Sequence, residues 1–258
     1  MPASPWLIHH RAARSRLRLY CFSYAGGSAG VFKPWRELLD AEVDLCAIQL
    51  PGRGMRLKEP PVKSLPELVQ QIAQQIANEP PGPFAFFGHS LGALVAFEVT
   101  RFLVRHQLAR PVHLFASGAS APQQRSEVPR LHEMDDEAMS AALAKYNGTP
   151  PEVLQHRELM ELVAPAIRAD FGIAADYVYA PGVPLDLPIM VLQGTRDPDV
   201  NVEQAEAWRL ETRGPSEVHW FDGDHFFIEG ARAQVLARVN AQLRARHLDV
   251  EGVRVVAR

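Results

Sequence analysis

The chain has 258 residues, of which 47% are apolar and 22% charged, and its formal net charge is −3. This composition is typical of a globular protein whose core buries well over half of its unfolded surface. The charge balance gives no overall basic field for nucleic acid or anionic lipid, so an acidic partner would need a local patch. Cys21 and Cys46 lie inside apolar runs, and we expect both to be buried free thiols in a reducing compartment.

The start of the chain argues against export. In Met1–Arg18, histidines and arginines follow a short apolar run, which is the wrong order for a secretion signal. The longest apolar stretch, Phe84–Phe97, is interrupted by His89 and Ser90, whereas a membrane span needs roughly 18 uninterrupted apolar residues. We therefore expect a cytoplasmic protein that does not cross a membrane.

Short β-rich runs alternate with longer helical patterns. The predicted strands are Leu17–Phe22, Val43–Gln49, Phe84–Gly88, Val112–Ser117, Pro188–Gln193 and Glu217–Phe221. This alternation predicts an α/β fold with a mainly parallel central sheet and helices on both of its faces. We expect a single domain over residues 1–258.

Four helical patterns are expected to cover this sheet. They are Leu65–Ala77, Leu91–His106, Glu203–Glu211 and Ala231–Arg246. The first follows Ser64, and Glu67 three residues later would complete a capping box at its start.

The interval Ala119–Leu187 breaks the alternation, because it contains no convincing strand. Its helical patterns are Leu131–Tyr146, Glu152–Val163 and Ala166–Tyr179, punctuated by Gly148, Pro150, Pro151 and Pro165. Roughly seventy residues between consecutive strands are far more than a βαβ crossover needs. The interval therefore predicts an inserted helical lid, with ordinary sheet-covering helices as the alternative.

The segment Gly88-His89-Ser90-Leu91-Gly92 joins a predicted strand to a predicted helix. A G-x-S-x-G pattern in this context is typical of the nucleophile turn of the α/β-hydrolase fold. Glycine is needed on both sides of the serine because a Cβ there would collide with the crossing strand and helix. Ser90 is the candidate nucleophile, and a chance glycine–serine turn is the alternative.

Serine needs an activating base, and in this fold the chain order is serine, acid, histidine. Asp197 follows the strand Pro188–Gln193 at the carboxyl edge of the sheet, where open α/β sheets place their sites. We assign Asp197 as the acid that orients the base and keep Asp199 as its rival. Either carboxylate could instead be a solvated turn residue.

His225 lies in the loop between the last predicted strand and the last predicted helix, and we assign it as the general base. The chain has ten histidines, so position rather than residue type decides this assignment. We expect His89 to line the pocket or to pack beneath the serine turn. His219, on a strand, is expected to be structural.

A tetrahedral oxyanion needs two backbone N–H donors, one of them from the residue after the nucleophile. Leu91 provides that amide. The second comes from the glycine-rich loop after Leu17–Phe22, from Ala25 or Gly26, and we assign it to Ala25. As a phosphate cradle the loop is a weak candidate, because it lacks both the P-loop ending and the spacing of a dinucleotide fingerprint.

Gly26, His89 and Phe226 are neighbours of these groups in the chain, and they are the predicted substrate contacts. No metal and no cofactor is expected. The chain has no His-Glu-x-x-His pattern, no paired Cys-x-x-Cys and no dense aspartate loop.

Several separate stretches resemble the stand-alone type II thioesterases that accompany polyketide and non-ribosomal peptide synthetases. The stretches are Phe22–Ser28, Gln49–Gly54, Gly88–Ala93, Gly148–Glu152 and Asp224–Phe227. The resemblance implies a triad of Ser90, Asp197 and His225, with Ala25 and Leu91 as the oxyanion amides. Family members often carry proline at Ser23, methionine at Leu91 and a second glycine near Asn147; the first two changes leave the backbone donors intact, and the third concerns the lid.

The resemblance further implies hydrolysis of acyl groups from the phosphopantetheine arm of acyl or peptidyl carrier proteins. Such editing clears stalled or misprimed synthetases in antibiotic or siderophore biosynthesis. Carrier domains are the implied partners, and we expect a monomer without nucleic-acid or membrane partners. The alternatives are an acyl-CoA or fatty-acyl thioesterase or a carboxylesterase with the same triad, and a non-catalytic binding module.

Two further groups of residues have open roles. Arg53, Arg56 and Lys58 form a basic cluster where a negatively charged carrier could dock, and a solvated charge run is at least as good an interpretation. Four large apolar residues could line an acyl channel, although core packing is the more frequent role of such residues. They are Phe32, Trp35, Met134 and Met139.

Overall fold

The structure is a computed structural model that describes residues 4–146, 148 and 151–248. Its strands are β1 (Leu7–His10), β2 (Leu17–Phe22), β3 (Val43–Ile48), β4 (Phe84–His89), β5 (Leu114–Ser117), β6 (Ile189–Gly194) and β7 (Ser216–Phe221). They form one sheet in the order β1-β3-β2-β4-β5-β6-β7. Every neighbouring pair is parallel except β1 with β3, so the predicted mainly parallel α/β architecture is confirmed.

Helices cover both faces of this sheet. They are α1 (Leu65–Ala77), α2 (Leu91–Arg105), α3 (Asp136–Tyr146), α4 (Pro151–Gln155), α5 (Arg157–Ala175), α6 (Val202–Glu206), α7 (Phe227–Gly230) and α8 (Arg232–Leu243). 3-10 helices span Ala29–Glu37, Gly54–Arg56, Pro122–Gln124, Leu131–Glu133 and Ala207–Glu211, and a π-helical turn spans Arg244–Leu248. None of the described helices is long and apolar enough to cross a membrane.

The central strands read as continuous apolar runs because they are covered on both faces. Every residue of β3, β4, β5 and β6 is buried. One apolar layer lies between the sheet and α1 with α2, and a second lies between the sheet and α8. Cys21 and Cys46 are buried free thiols, as expected.

The helical interval between β5 and β6 has an apolar cluster of its own. Its buried members are Leu131, Met139, Leu143, Met160, Ala164 and Ile167. The interval is therefore a helical insertion with its own small core. Asn147, Thr149 and Pro150, which include parts of the resemblance, lie outside the described residues.

The structure differs from the sequence-based expectations at three places. The predicted break at Pro165 is wrong, since α5 continues through this proline, with buried side chains on both sides of it. Ser64 precedes α1, but its side chain makes no capping hydrogen bond, so the capping box does not form. The structure also contains β1, a four-residue edge strand ending in two histidines that the sequence patterns did not predict.

Candidate functional site

The turn between β4 and α2 places Ser90 in an unusual backbone conformation. Its φ is 56° and its ψ is −119°, a region that residues with a side chain rarely occupy. The Ser90 N–H donates to the Ser117 carbonyl oxygen at 2.8 Å, which holds the turn against β5. A Cβ added at Gly88 would lie 2.6 Å from the Ala93 Cα, and one at Gly92 would overlap the backbone of β2. Both glycines are therefore required by the close crossing of strand and helix.

His225 and Asp197 form a hydrogen-bonded pair at the carboxyl ends of β6 and β7. Nδ1 of His225 lies 2.8 Å from Oδ2 of Asp197, whose side chain is fully buried. Asp199 is half exposed, and its carboxylate lies 4.0 Å from the same nitrogen. The Asp199 N–H donates to Oδ1 of Asp197 at 3.0 Å, so the second aspartate helps to orient the first.

The surrounding charges favour the protonated form of His225. Burial lowers the pKa of this imidazole, but the hydrogen bond and charge of Asp197 raise it. Asp199 and Asp224 add to that effect, and the net pKa lies above the ordinary value of 6.5. Burial also raises the pKa of Asp199.

His89 lies beneath the serine turn and is fully buried. One ring nitrogen, Nδ1, lies 2.9 Å from the Ser117 hydroxyl, and the other, Nε2, lies 2.9 Å from the His225 carbonyl oxygen. Because a carbonyl only accepts, Nε2 carries the proton and Nδ1 accepts from the serine. Burial holds the pKa of His89 well below its ordinary value, which agrees with this neutral form. His89 therefore packs beneath the serine turn, the second of its two expected positions, and supports the His225 loop; it is not part of the cavity lining, so its predicted contact with substrate is not supported.

Two backbone amides beside Ser90 are free to bind an anion. The N–H groups of Ala25 and Leu91 donate no hydrogen bond within the part of the chain that the structure describes. The Gly26 N–H, in contrast, donates to Oδ2 of Asp170 at 2.7 Å. Of the two amides considered in this loop, the structure therefore leaves that of Ala25 available.

A buried ion pair holds the loop that carries Ala25. The Arg53 guanidinium contacts both carboxylate oxygens of Asp170, one of them at 2.9 Å, and also donates to the Gly27 carbonyl oxygen at 3.3 Å. Both charged side chains are almost completely buried. Sequence reasoning missed Asp170, although an acid among the apolar positions of a helical pattern was a signal that could have found it.

The basic docking cluster predicted after β3 is wrong for two of its three members. Arg53 and Arg56 are only 6% exposed. Arg56 pairs with Glu59 and lies over the ring of Trp6, 4.1 Å from its centroid. Their charges are therefore used inside the fold and are not presented to a partner.

Ser90, Ala25, Leu91, His225 and Phe226 line one cavity of about 350 Å³, which we call the Ser90 cavity. The helical insertion closes one side of it through Leu143, Tyr146, Gly148, Phe171 and Ala174. Its polar lining includes Ser120, Arg125, Glu127, Asp199, Asn201 and Gln204. Gly26 is not part of the lining, so the structure does not support its predicted contact with substrate.

Ser90 and His225 share this cavity without a hydrogen bond between them in the described structure. Catalytic hydrogen bonds of unliganded enzymes are often long and shorten only when substrate binds. Phe32, Trp35 and Met139 are buried core residues outside the cavity lining, so core packing is the observed role of these three.

Asp197, Asp199 and His225 also form a group whose ligand atoms lie within 4.8 Å of one another. Nδ1 of His225 is already engaged by Asp197, so a cation there would have to replace that hydrogen bond. The three residues are therefore better described as an imidazole, that of His225, oriented by Asp197, with Asp199 beside it.

Comparison with protein families matches the Thioesterase domain to residues 17–243. The gramicidin S biosynthesis protein GrsT of Aneurinibacillus migulanus is 38% identical over 240 residues, covering 93% of this chain and 94% of GrsT. Linear gramicidin dehydrogenase LgrE of Brevibacillus parabrevis is 35% identical over 254 residues, covering 97% of each chain.

Among solved structures, the type II thioesterase BorB from the borrelidin biosynthetic cluster is similar over its whole length. The TM-score is 0.86 at 33% identity, and the match covers 95% of this chain and 100% of BorB. This likeness over nearly the whole chain supports the α/β-hydrolase fold expected from the sequence.

Proposed function

Because this chain belongs to the thioesterase family and hydrolyses thioesters, we propose that it releases acyl groups from the phosphopantetheine arm of carrier proteins through an acyl-Ser90 intermediate. The observation that supports this mechanism is that a nucleophile, a base and two amide donors lie around one cavity. Ser90 stands on a strained turn, the His225–Asp197 pair faces the same space, and two free amides lie beside it.

The first step follows from the state of His225. Its Nδ1–H donates to Asp197, so the lone pair of Nε2 is available to take the proton of the Ser90 hydroxyl. The serine oxygen then bonds to the thioester carbonyl carbon, and the carbonyl electron pair moves to oxygen. The N–H groups of Ala25 and Leu91 stabilise that oxyanion.

Collapse of the tetrahedral adduct breaks the carbon–sulfur bond, and the pantetheine sulfur leaves as the thiol with the proton that His225 had taken from Ser90. A thiol has a reference pKa of roughly 8.5, so it leaves more readily than an alcohol and depends less on protonation by His225. Water then attacks the acyl-Ser90 ester, His225 accepts a proton from that water, and the free acid leaves with Ser90 restored. Asp197 stabilises the imidazolium that forms in each half-reaction.

The carrier protein as substrate is supported by the relatives in synthetase pathways. GrsT is named for gramicidin S biosynthesis, and BorB is a type II thioesterase from a biosynthetic cluster. We propose that this chain acts in the same setting, clearing stalled or misprimed acyl groups. A monomer, a cytoplasmic location and the absence of a cofactor stay predictions.

One relative, LgrE, carries the name of a dehydrogenase. A nicotinamide site on an α/β sheet uses the spacing G-x-G-x-x-G after its first strand. The loop after β2 reads Tyr-Ala-Gly-Gly-Ser-Ala-Gly over residues 24–30, which lacks that spacing. Hydride transfer would also leave the strained Ser90 turn without a role, so we retain thioester hydrolysis.

The proposal is tested by Ser90→Ala. This variant should fold and bind acyl thioesters, while kcat for hydrolysis of an acyl-carrier substrate falls by at least about 10⁴-fold. A fluorophosphonate probe should label the wild type at Ser90 and leave the variant unlabelled. Ser140→Ala, on the surface of α3, is the matched control and should hydrolyse and label like the wild type. Hydrolysis by Ser90→Ala at the wild-type rate would disprove the assignment.

The carrier preference needs a separate comparison. Hydrolysis of one acyl group should be measured on a carrier protein, on coenzyme A and as a nitrophenyl ester. A higher kcat/KM on the carrier supports the proposal. Equal values on carrier and coenzyme A would favour a general acyl thioesterase, and a preference for the nitrophenyl ester would favour a carboxylesterase.

A further inference from the structure

The wall of the Ser90 cavity contains an arginine without an anionic partner. Arg125 lines the cavity and is half-buried. Within the described part of the chain its guanidinium makes no hydrogen bond and no ion pair, and it lies over the ring of Tyr177, with 5.9 Å between the guanidinium carbon and the ring centroid. Arg53 and Arg56, the two arginines that are buried among the described residues, both have carboxylate partners.

The backbone around Arg125 is fixed from both sides. The Gln204 amide donates to the Gln124 carbonyl oxygen at 3.1 Å and to the Ser126 hydroxyl at 2.9 Å, so one side chain holds both neighbours of Arg125. Gln204 is itself held in a capping box with Asn201 at the start of α6. The guanidinium is therefore presented from an ordered segment, which lowers the entropy cost of binding a ligand.

A partly desolvated cation favours an anionic ligand. Burial lowers the pKa of the Arg125 guanidinium from its ordinary value, which reflects the loss of water around its charge. A guanidinium binds a carboxylate through two parallel hydrogen bonds, and this pairing is strongest where water is excluded. An incoming carboxylate would therefore gain more at Arg125 than at a surface arginine.

We infer that Arg125 is an anion-binding subsite of the Ser90 cavity and that it selects short acyl thioesters carrying a carboxylate at the end distant from the thioester. This inference rests on the proposed function. The cavity of about 350 Å³ is at the small end of the roughly 300–1,000 Å³ usual for ligand sites, which fits a short chain.

The phosphate of phosphopantetheine is the other anion that could meet Arg125. That phosphate is the end of the arm attached to the carrier protein, so it must stay at the mouth of the site. Arg125 shares the wall of the cavity with Ser120 and Gln204, and it is half-buried. The acyl end of the substrate is therefore the better match.

Two carboxylates line the same cavity and limit how an anion can bind. Glu127 and Asp199 would repel a carboxylate that came close to them, and neither lies within ion-pair distance of Arg125. A substrate carboxylate is thus attracted by Arg125 and repelled by Glu127 and Asp199.

The test compares succinyl and butyryl thioesters of N-acetylcysteamine, which differ in a terminal carboxylate and contain no phosphate. The ratio of kcat/KM for succinyl over butyryl should fall about 10- to 100-fold in Arg125→Gln, the range expected for lost hydrogen bonds to a charged group. Arg125→Lys should give an intermediate ratio, because the charge remains and the fork geometry is lost. Arg209→Gln, an exposed arginine outside the cavity lining, is the control and should keep the wild-type ratio.

An equal loss on both thioesters would overturn the inference, because it would give Arg125 a structural role only. A loss confined to coenzyme A or carrier substrates would overturn it as well, since the arginine would then recognise phosphate. Binding of the succinyl thioester to Ser90→Ala, with and without Arg125→Gln, measures the subsite by calorimetry without turnover. The two readouts are independent: absence of thioester hydrolysis by the wild type rejects the proposed function, whereas equal binding of the succinyl thioester with and without Arg125→Gln rejects the subsite.

Discussion

His225 stands among three carboxylates that have different tasks. Asp197 is buried and hydrogen-bonded to Nδ1, whereas Asp199 is half exposed and acts on the ring from 4.0 Å. Asp224 contributes through its charge alone. Asp197 therefore orients the imidazole and raises its pKa most, and the other two carboxylates raise that pKa further.

Asp199→Asn tests this division at the residue scale. The pKa of His225 is raised, so the base becomes protonated and inactive as the pH falls through a value above 6.5. Removal of the Asp199 charge lowers that pKa, and the acid limb of the kcat/KM profile should move to lower pH with the high-pH plateau largely retained. Asp186→Asn, at an exposed position before β6, should leave the limb in place. A shift to higher pH would contradict the assigned role of Asp199.

The same pKa shift has a stability consequence of fixed sign. A histidine whose folded-state pKa lies above its unfolded value stabilises the protein fully below the unfolded pKa. This contribution disappears as the pH rises through the folded-state pKa of His225.

At the scale of elements, the β4–α2 turn combines packing with backbone strain. The close crossing excludes side chains at Gly88 and Gly92, and Ser90 between them adopts a positive φ. Such strain costs of order 1–3 kcal/mol and persists because the surrounding strand and helix hold it.

Ser90→Gly should relieve this strain, whereas Ser90→Ala should retain it. Glycine adopts the observed φ of 56° without steric cost, although it loses more backbone entropy on folding. We expect the free energy of unfolding of Ser90→Gly to exceed that of Ser90→Ala by about 1 kcal/mol in urea denaturation. Ser140→Gly against Ser140→Ala, within α3, should give the opposite order because glycine weakens a helix. Equal stability of the two Ser90 variants would mean that the turn stores no strain.

At the scale of the whole molecule, the ion pair of Asp170 and Arg53 joins the helical insertion to the loops at the carboxyl ends of the strands. Asp170 on α5 binds Arg53 from the segment after β3 and the Gly26 N–H from the loop after β2. The insertion thereby contacts the loop that presents the Ala25 amide. Packing of the insertion and the geometry of the oxyanion amides are coupled through this carboxylate.

Asp170→Asn should weaken both stability and turnover. It leaves the Arg53 charge buried without its partner, a change that costs about 3–5 kcal/mol in other buried pairs. Displacement of the Gly26 backbone should also lower kcat about tenfold or more, with a smaller change in KM. Asp136→Asn, which breaks the exposed pair with Arg168, should cost less than about 1 kcal/mol and leave kcat unchanged. Loss of stability without loss of kcat would restrict Asp170 to a structural role.

The sequence by itself determined the six strands β2–β7, the serine turn and the order of the candidate groups. Continuous apolar runs predict buried parallel strands, and the pattern around Ser90 predicts a tight strand-to-helix crossing, because both signals are local. Helix α5 shows the limit of local signals. Pro165 predicts a break, and the buried residues on both sides of it hold the helix together instead.

Only the tertiary structure decided which of the neighbouring groups meet. Asp197 and Asp199 are indistinguishable by type and nearly so by position, and the fold brings the first to 2.8 Å from His225. In the sequence Arg53 looks like a charge available for docking, but in the fold it forms an ion pair with Asp170 of α5. Arg125 differs from Arg53 because no described carboxylate pairs with it. The physical reason is that burial and ion pairing depend on residues that are far apart in the chain. The pKa of a charged group and its available contacts are set by those surroundings.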